Sequence, residues 1–201
     1  MEQGSPEWFE VRLGKATASR VSDIVARTKS GWCAGRENYE AELIAERLTG
    51  ETADGFRSPA MQRGNDLEGQ ARAAYEFMTD REVAEVGFVE HPNIPMSGAS
   101  PDGLVNHEGL VEIKCPNTAT HLKTLLGGSI PKKYKDQMQW QIACSGRAWC
   151  DFVSFDPRLP AKHQLHVTRV ERDAELIAEL EDQVRIFLGE IDIKIAKLEA
   201  L

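Results

Sequence analysis

No run of the sequence stays apolar for the ~18 residues that a membrane helix needs. The first residues, MEQGSPEW, lack the basic and apolar segments of a secretory leader. These absences exclude an integral helical membrane protein and make the cytoplasm the expected compartment. Cysteine is scarce: Cys33, Cys115, Cys144 and Cys150 are all there are, and no two form a CxxC pair. That spacing speaks against a zinc site, and a chain of this kind keeps its thiols reduced. His107 and His121 stand in no metal-ligand pattern. Positive charge is also in deficit, with a formal net charge of −8, which argues against a surface that is basic throughout.

The charge is unevenly placed, however. Between Val11 and Arg36 lie Arg12, Lys15, Arg20, Arg27, Lys29 and Arg36 against the single acid Asp23, and Lys132, Lys133 and Lys135 form a second basic run. The acids crowd the segment from Glu171 to Glu199. A chain that is acidic overall but carries basic patches suits nucleic-acid binding confined to one face. The length of 201 residues allows one domain with a sizeable core.

Periodicity and turn residues predict helices, then a small sheet, then a helix. Ser5-Pro6-Glu7 is a helix start, with Ser as N-cap and Pro in the first turn. Helical patterns follow over Thr17 to Arg27, Glu37 to Thr49, and from Ser58-Pro59 to about Met78, with Thr28 to Arg36 as a loop. Glu82 to Glu90 is β-like. Gly98 to Val105 and Leu110 to Cys115 read as strands joined by Asn106-His107-Glu108-Gly109. Helices are expected near Thr118 to Leu126 and Pro131 to Cys144, strands over Trp149 to Phe155 and His163 to Val170, and a long helix over Asp173 to Leu198. The expected fold class is α/β (α+β), a small mixed sheet flanked by helices. The whole of 1–201 is expected to be one domain: a helical part 5–78, a β-containing core 82–170 and a terminal helix 173–199.

Chemistry concentrates in Ser100-Pro101-Asp102-Gly103 and Leu110-Val111-Glu112-Ile113-Lys114. Side chains alternate along a strand, so Glu112 and Lys114 share a face while Val111 and Ile113 take the other. Asp102, on the preceding arm of the hairpin, approaches Glu112 across the pair. Two carboxylates and a lysine are suited to Mg²⁺, a hard cation that takes one or two protein carboxylates and completes its shell with water and phosphate oxygens. The lysine is placed to orient a water, to steady developing negative charge, or to act as a base.

SPDG followed by VEIKCP is the signature of the PD-(D/E)xK nucleases, which have a restriction-endonuclease-like core. WFEVRLGKATASR (Trp8 to Arg20), RGNDLEGQAR (Arg63 to Arg72), YKDQMQWQ (Tyr134 to Gln141) and FDPR (Phe155 to Arg158) extend the match. Over roughly Pro6 to Asp173 the sequence resembles the phage lambda exonuclease family, the viral-recombinase alkaline exonucleases. The resemblance implies that Asp102, Glu112 and the backbone carbonyl of Ile113 hold metal, that Lys114 is the catalytic lysine, and that Glu68 lies near a second metal. It implies two Mg²⁺ ions, with Mn²⁺ as the alternative. Gln137 and Gln139 are placed near the reacting phosphate. Two residues apart on a helix, they do not share a face, and Gln139 is the one expected at the site. Arg12, Thr17 and Ser19 match the family's pocket for a terminal 5′-phosphate, a role for which a guanidinium fork and hydroxyls are well suited. Trp32, in a basic, glycine-flanked loop, is a candidate DNA contact, whereas Trp8 is expected in the core. Related nucleases that carry an iron–sulfur cluster use a late C-x2-C-x5-C. Cys144 and Cys150 have the second spacing, but Gln141 stands where the first cysteine belongs, so no cluster is expected.

The activity so implied is 5′→3′ digestion of the 5′-phosphorylated strand of linear duplex DNA, leaving 3′ overhangs for recombination. The implied partners are double-stranded DNA ends, a single-strand annealing protein and two further copies of the chain in a ring-shaped homotrimer. The rivals are a sequence-specific endonuclease on the same core and a non-catalytic DNA-end-binding protein. Intact Asp102, Glu112 and Lys114 speak against the latter.

Overall fold

The computed structural model of the chain describes residues 1–29, 31–52 and 59–201. Helix α1 (Pro6–Arg12) starts as expected, with the Ser5 hydroxyl accepting the Trp8 backbone N–H. Strand β1 (Ala16–Thr17) and a short 3₁₀ turn (Ala18–Arg20) lead into α2 (Val21–Val25). The long helix expected over Thr17 to Arg27 is thus mostly other structure. The expected loop Thr28 to Arg36 is a hairpin, β2 (Arg27–Thr28) and β3 (Gly31–Trp32), running into α3 (Ala34–Thr49). Gly50 ends α3 with φ at 72°, a left-handed turn that costs glycine little. Helix α4 (Pro59–Thr79) follows; Ser58, the expected opening residue of that helix, lies outside the described residues.

The remaining elements are β4 (Val83–Ala84), β5 (Val89–Glu90), β6 (Ser97–Ala99), β7 (Gly103–Val105), β8 (Gly109–Lys114), α5 (Thr118–Leu125), α6 (Lys132–Ser145), β9 (Trp149–Phe155), β10 (Leu165–Glu171) and α7 (Ala174–Glu199). The β-like stretch from Glu82 to Glu90 therefore forms only its two ends, and the strand expected over Gly98 to Val105 is interrupted at Ser100-Pro101-Asp102. Proline cannot donate to a ladder, and the break turns Asp102 out of the pairing. The observed class is mixed α/β.

A five-stranded sheet in the order β10-β9-β8-β7-β4 forms the centre. Within this sheet, among the described residues, β8 and β9 are the parallel pair, which requires the crossover that α5 and α6 supply. Helix α4 covers one face, where Ala71 and Tyr75 pack on Val111, Ile113, Val153 and Phe155. Helix α6 covers the other, with Met138 and Ile142 against Leu110, Cys150 and Phe152. A second sheet, β1-β6-β5, ties the N-terminal region to the segment before the active loop. Beside it α2 and α3 meet α6 and α7 around Tyr39, Trp140 and Phe187.

Candidate active site

Both faces of β8 are covered, so its alternation is not one of core against solvent. Val111 and Ile113 point to α4, while Leu110, Glu112 and Lys114 point to α6. Glu112 is 0% exposed. A carboxylate in that position is costly unless hydrogen-bonded, and each oxygen has a donor. Gln137 Nε2 donates to Oε1 at 2.7 Å, and Gln141 Nε2 donates to Oε2 at 2.6 Å. The Lys114 ammonium pairs with Oε1. Gln137 and Gln141 are one turn apart on α6, the spacing that puts two side chains on one helical face.

Gly103 pairs with Val111, which sets Asp102 opposite Glu112. A side chain at 103 would collide with Val83, so the glycine of the motif is a packing requirement. Asp102 Oδ2 accepts the backbone N–H of Ile113 at 2.6 Å. Burial and the neighbouring Glu112 push the Asp102 carboxyl well above the usual range. Burial pulls the Lys114 ammonium the other way, but Glu112 and Asp102 outweigh it and hold Lys114 above the ordinary lysine range. Lys114 is therefore an ammonium in this arrangement.

Glu68 reaches the same region from α4. It is half-buried, accepts from Arg72 at 2.9 Å, and its charge acts on Asp102 and Cys115. Arg63, also on α4, donates to the Pro116 carbonyl at 3.0 Å, just past β8. Among the described residues no group of three or more His, Cys, Asp or Glu is arranged to hold a metal. Two converging carboxylates fit the lighter demand of Mg²⁺, which is bound through one or two carboxylates and substrate phosphates. The raised Asp102 pKa comes first from burial and then from the charge of Glu112, and a cation would relieve both.

Gln139 is not in this group. Its Nε2 donates to the Glu171 carbonyl at 2.7 Å and its Oε1 accepts the Asp173 N–H at 2.9 Å, so it anchors the start of α7 on the opposite side of α6. The expectation that it faces the site is corrected by the helical register: Gln137 and Gln141 take that face. Gln141, which the sequence does not single out for the site, stands one turn from Gln137, a spacing that is visible in the sequence.

A second cluster surrounds Ser100, two residues before Asp102. Ser100 Oγ accepts from Arg12 Nη1 at 3.2 Å and from Trp8 Nε1 at 2.9 Å. The Arg12 guanidinium lies 3.9 Å from the Trp8 ring centroid and has no ion pair among the described residues. Burial lowers its pKa, yet a guanidinium stays charged. Trp8, expected in the core, instead forms a wall under Arg12. Thr17 is buried and its hydroxyl lies 3.4 Å from that of exposed Ser19. Ser19 caps no helix, because it lies inside the 3₁₀ turn. Tyr39, which the sequence did not single out, accepts the Thr17 N–H at 3.0 Å.

The basic run of the N-terminal region is partly neutralised. Lys15 pairs with Glu90, Arg20 with Asp23 and Glu42, and Arg36 with Glu190 on α7. Arg12, Arg27 and Lys29 have no ion pair among the described residues. Trp32 is half-buried with the guanidinium of Arg27 3.8 Å and that of Arg36 4.4 Å from its ring centroid. The four cysteines are free thiols, and the position that would complete an iron–sulfur motif is the amide donor to Glu112.

The family model described as a YqaJ-like viral recombinase domain matches residues 7–148. The chain belongs to that family. Two solved structures of an alkaline exonuclease, LHK-Exo from Laribacter hongkongensis, are similar to it at 52% identity, covering 98% of this chain and 97% of theirs. The TM-scores are 0.91 for the structure of that protein and 0.92 for its complex with dAMP. A phage-related exonuclease from Haemophilus somnus 129PT, at 17% identity and a TM-score of 0.70 over 92% of this chain and 96% of its own, shares the fold. No curated protein matches the chain. The family and the 52% identity make this YqaJ-like protein a deoxyribonuclease of the exonuclease kind. Among the described residues no helix is long and apolar enough to cross a membrane.

Proposed function

We propose that this exonuclease uses divalent metal, Mg²⁺ or Mn²⁺, to remove nucleotides 5′→3′ from the 5′-phosphorylated strand of linear duplex DNA. The observation that carries the reading is the meeting of Asp102, Glu112 and Lys114 at the end of β8, with Glu68 supplied by α4. Asp102 and Glu112 would hold the first ion, and Glu68 would stand near a second. The Ile113 N–H is taken by Asp102 and no residue of β7 lies opposite Ile113. The two polar groups of a strand residue face the same edge, so the carbonyl of Ile113 is available to the same ion.

When bound, the metal polarises the scissile phosphate and lowers the pKa of an attacking water. The chain's own groups do the rest. The Lys114 ammonium offsets negative charge that builds on the phosphate oxygens, and Gln137 keeps Glu112 aimed at the site. Arg12, with Ser100, Thr17 and Ser19, is a cationic pocket two residues along the chain from Asp102, suited to a terminal phosphate. The similar LHK-Exo was crystallised with dAMP, and a deoxynucleoside monophosphate is the class of product that single-nucleotide removal releases. Trp32 with Arg27 and Lys29 would meet the duplex.

The overhang would pass to a single-strand annealing protein, and three copies of the chain would form a ring around the DNA. Phe77 supports an interface, since it is 93% exposed at the end of α4. A ring also accommodates the negative charge, because only its channel has to be basic. The test is digestion of a linear duplex, labelled on each strand, with 5′-phosphate or 5′-hydroxyl ends in Mg²⁺. Loss of the phosphorylated strand from its 5′ end is expected. Cutting of a closed circle would point to an endonuclease, and end binding without turnover to an adaptor.

A further inference from the structure

We infer that Arg158, with Arg63 beside it, binds a backbone phosphate of the DNA next to the reacting phosphate, its fork mounted on the buried carboxylate of Asp156. The inference rests on the reading that the reaction takes place at the end of β8. Strands β8 and β9 run in parallel with Lys114 opposite Ser154, so Asp156 follows two residues past Lys114 on the neighbouring strand. At ~3.3 Å per residue and ~4.8 Å between strands, that is roughly 8 Å from the Lys114 backbone. Arg63 closes the gap from α4. Its Nη1 donates to the Pro116 carbonyl at 3.0 Å and its Nη2 lies 3.5 Å from Asp156 Oδ1. The Cys115 thiol feels the charges of Arg63, Glu68, Asp102 and Lys114 together. The cluster therefore stands at the rim of the site, at the carboxyl ends of two parallel strands, where open α/β sheets bind their ligands.

Within the site the cations already face acids. Lys114 pairs with Glu112 and Arg72 with Glu68, and Asp102 adds a further carboxyl group. A polyanion needs positive charge beside these carboxylates. At the rim two guanidinium groups meet one carboxylate. Arg158 donates from Nε and Nη2 to the two oxygens of Asp156, at 2.7 and 2.8 Å. The two protons on Nη1 and the second on Nη2 have no hydrogen bond among the described residues, and the side chain is 50% exposed. The Nη2 of Arg63 is buried without a hydrogen bond, so Asp156 answers its charge only in part. The Arg158 fork is not what closes the turn. The Arg158 backbone N–H donates to Asp156 Oδ1 at 3.1 Å, Thr118 Oγ1 donates to Oδ2 at 2.7 Å, and the Asp156 N–H donates to the Gln164 carbonyl at 2.9 Å. A half-exposed guanidinium held in one plane with N–H groups to spare is suited to the oxygens of a phosphate.

The experiment measures binding of a 5′-phosphorylated linear duplex by fluorescence anisotropy, in a chelator so that nothing is cut, between about 50 and 200 mM salt. The proteins are the full-length wild type, Arg158→Ala, Arg158→Gln, Arg158→Lys and Arg185→Ala. Gln keeps a donor for Asp156 without the charge, so it serves if the Ala variant folds poorly. Arg185, paired with Glu181 and Asp182 on α7, is the control for net charge alone and is expected to keep the wild-type slope. Loss of one phosphate contact lowers the slope of log K against log salt by about 0.9 and the affinity by about tenfold or more. That is expected of the Ala and Gln variants, while Arg158→Lys should keep the slope at reduced affinity. An unchanged slope, as a purely structural Arg158 would give, or the same fall in Arg185→Ala, would overturn the inference. Digestion by Asp102→Asn in Mg²⁺ near the wild-type rate would move the reacting phosphate away from β8, and the inference would go with it. An inactive Asp102→Asn beside an unchanged slope would sink the inference alone.

Discussion

Asp102 Oδ2 accepts the backbone N–H of Ile113 at 2.6 Å, so the carboxylate is tied to the same strand that carries Glu112 and Lys114. Burial and the proximity of Glu112 hold its carboxyl well above the usual range. The charged form is thus disfavoured in the fold when no cation is present. Asp102→Asn keeps an acceptor for Ile113 and removes the repulsion. Its melting temperature in a chelator is expected to equal or exceed that of the wild type at neutral pH. The gain should vanish below about pH 4, where the group is protonated in both folded and unfolded chains. Digestion in Mg²⁺ should fall by roughly 10³-fold or more as a ligand is lost, with DNA binding retained. Turnover near wild type would remove Asp102 from the metal site.

The opposite sign holds at Asp156. Its carboxylate is buried under the fork of Arg158, at 2.7 and 2.8 Å, and accepts Thr118 Oγ1 at 2.7 Å. Those bonds hold its pKa far below the ordinary range. The stabilisation is complete above the unfolded value of about 4 and is lost as the pH falls through the depressed folded value. Asp156→Asn should therefore melt lower than the wild type at pH 7, by a margin that narrows below about pH 4. A margin that stays constant down to pH 2 would show that the lost contacts are not ionic.

The carboxylates and the lysine were legible in the sequence because a strand has a two-residue period and the hairpin turn fixes its partner. Glu112 and Lys114 had to share a face, and Asp102 had to lie opposite. What covers that face was not legible. The same alternation suits a strand open to solvent, and only the crossover through α5 and α6 buries Glu112 beneath Gln137 and Gln141. The Thr17 to Arg27 segment failed for a related reason. Its apolar residues fit a helix, but Ala16 and Thr17 are drawn into a ladder with Ser97 and Gly98, far along the chain, and local periodicity does not report such pairings.

The two glutamines of YKDQMQWQ that flank Met138 should separate cleanly. Gln139 joins the Glu171 carbonyl and the Asp173 N–H, so Gln139→Ala leaves two backbone groups unsatisfied where α7 begins. A loss of about 1–3 kcal/mol in stability is expected, with the rate per folded molecule unchanged. Gln137→Ala removes a donor to Glu112 and is expected to lower the rate by about tenfold or more, with a smaller effect on denaturant midpoint. The reverse assignment, with Gln139→Ala slow but stable, would restore Gln139 to the site.

Arg12 joins the two halves of the proposed mechanism, because the serine it contacts lies two residues from Asp102. Its guanidinium is half-buried over Trp8, donates to Ser100 and feels the charge of Glu46 without forming an ion pair among the described residues. A half-buried guanidinium without a close carboxylate has donors to spare, and a phosphate is a ligand that would take them. Arg12→Ala should cut the preference for 5′-phosphorylated over 5′-hydroxylated ends by about 10–100-fold, as expected for loss of a charged hydrogen bond worth about 1.5–3 kcal/mol. Arg12→Lys should restore only part of it, since an ammonium lacks the planar fork and stacks less well on the indole. The measurement is the ratio of initial rates on the two ends at one salt concentration, which cancels any common effect on folding. Equal loss on both ends would place Arg12 in general DNA binding and leave the terminal phosphate without a partner in this pocket.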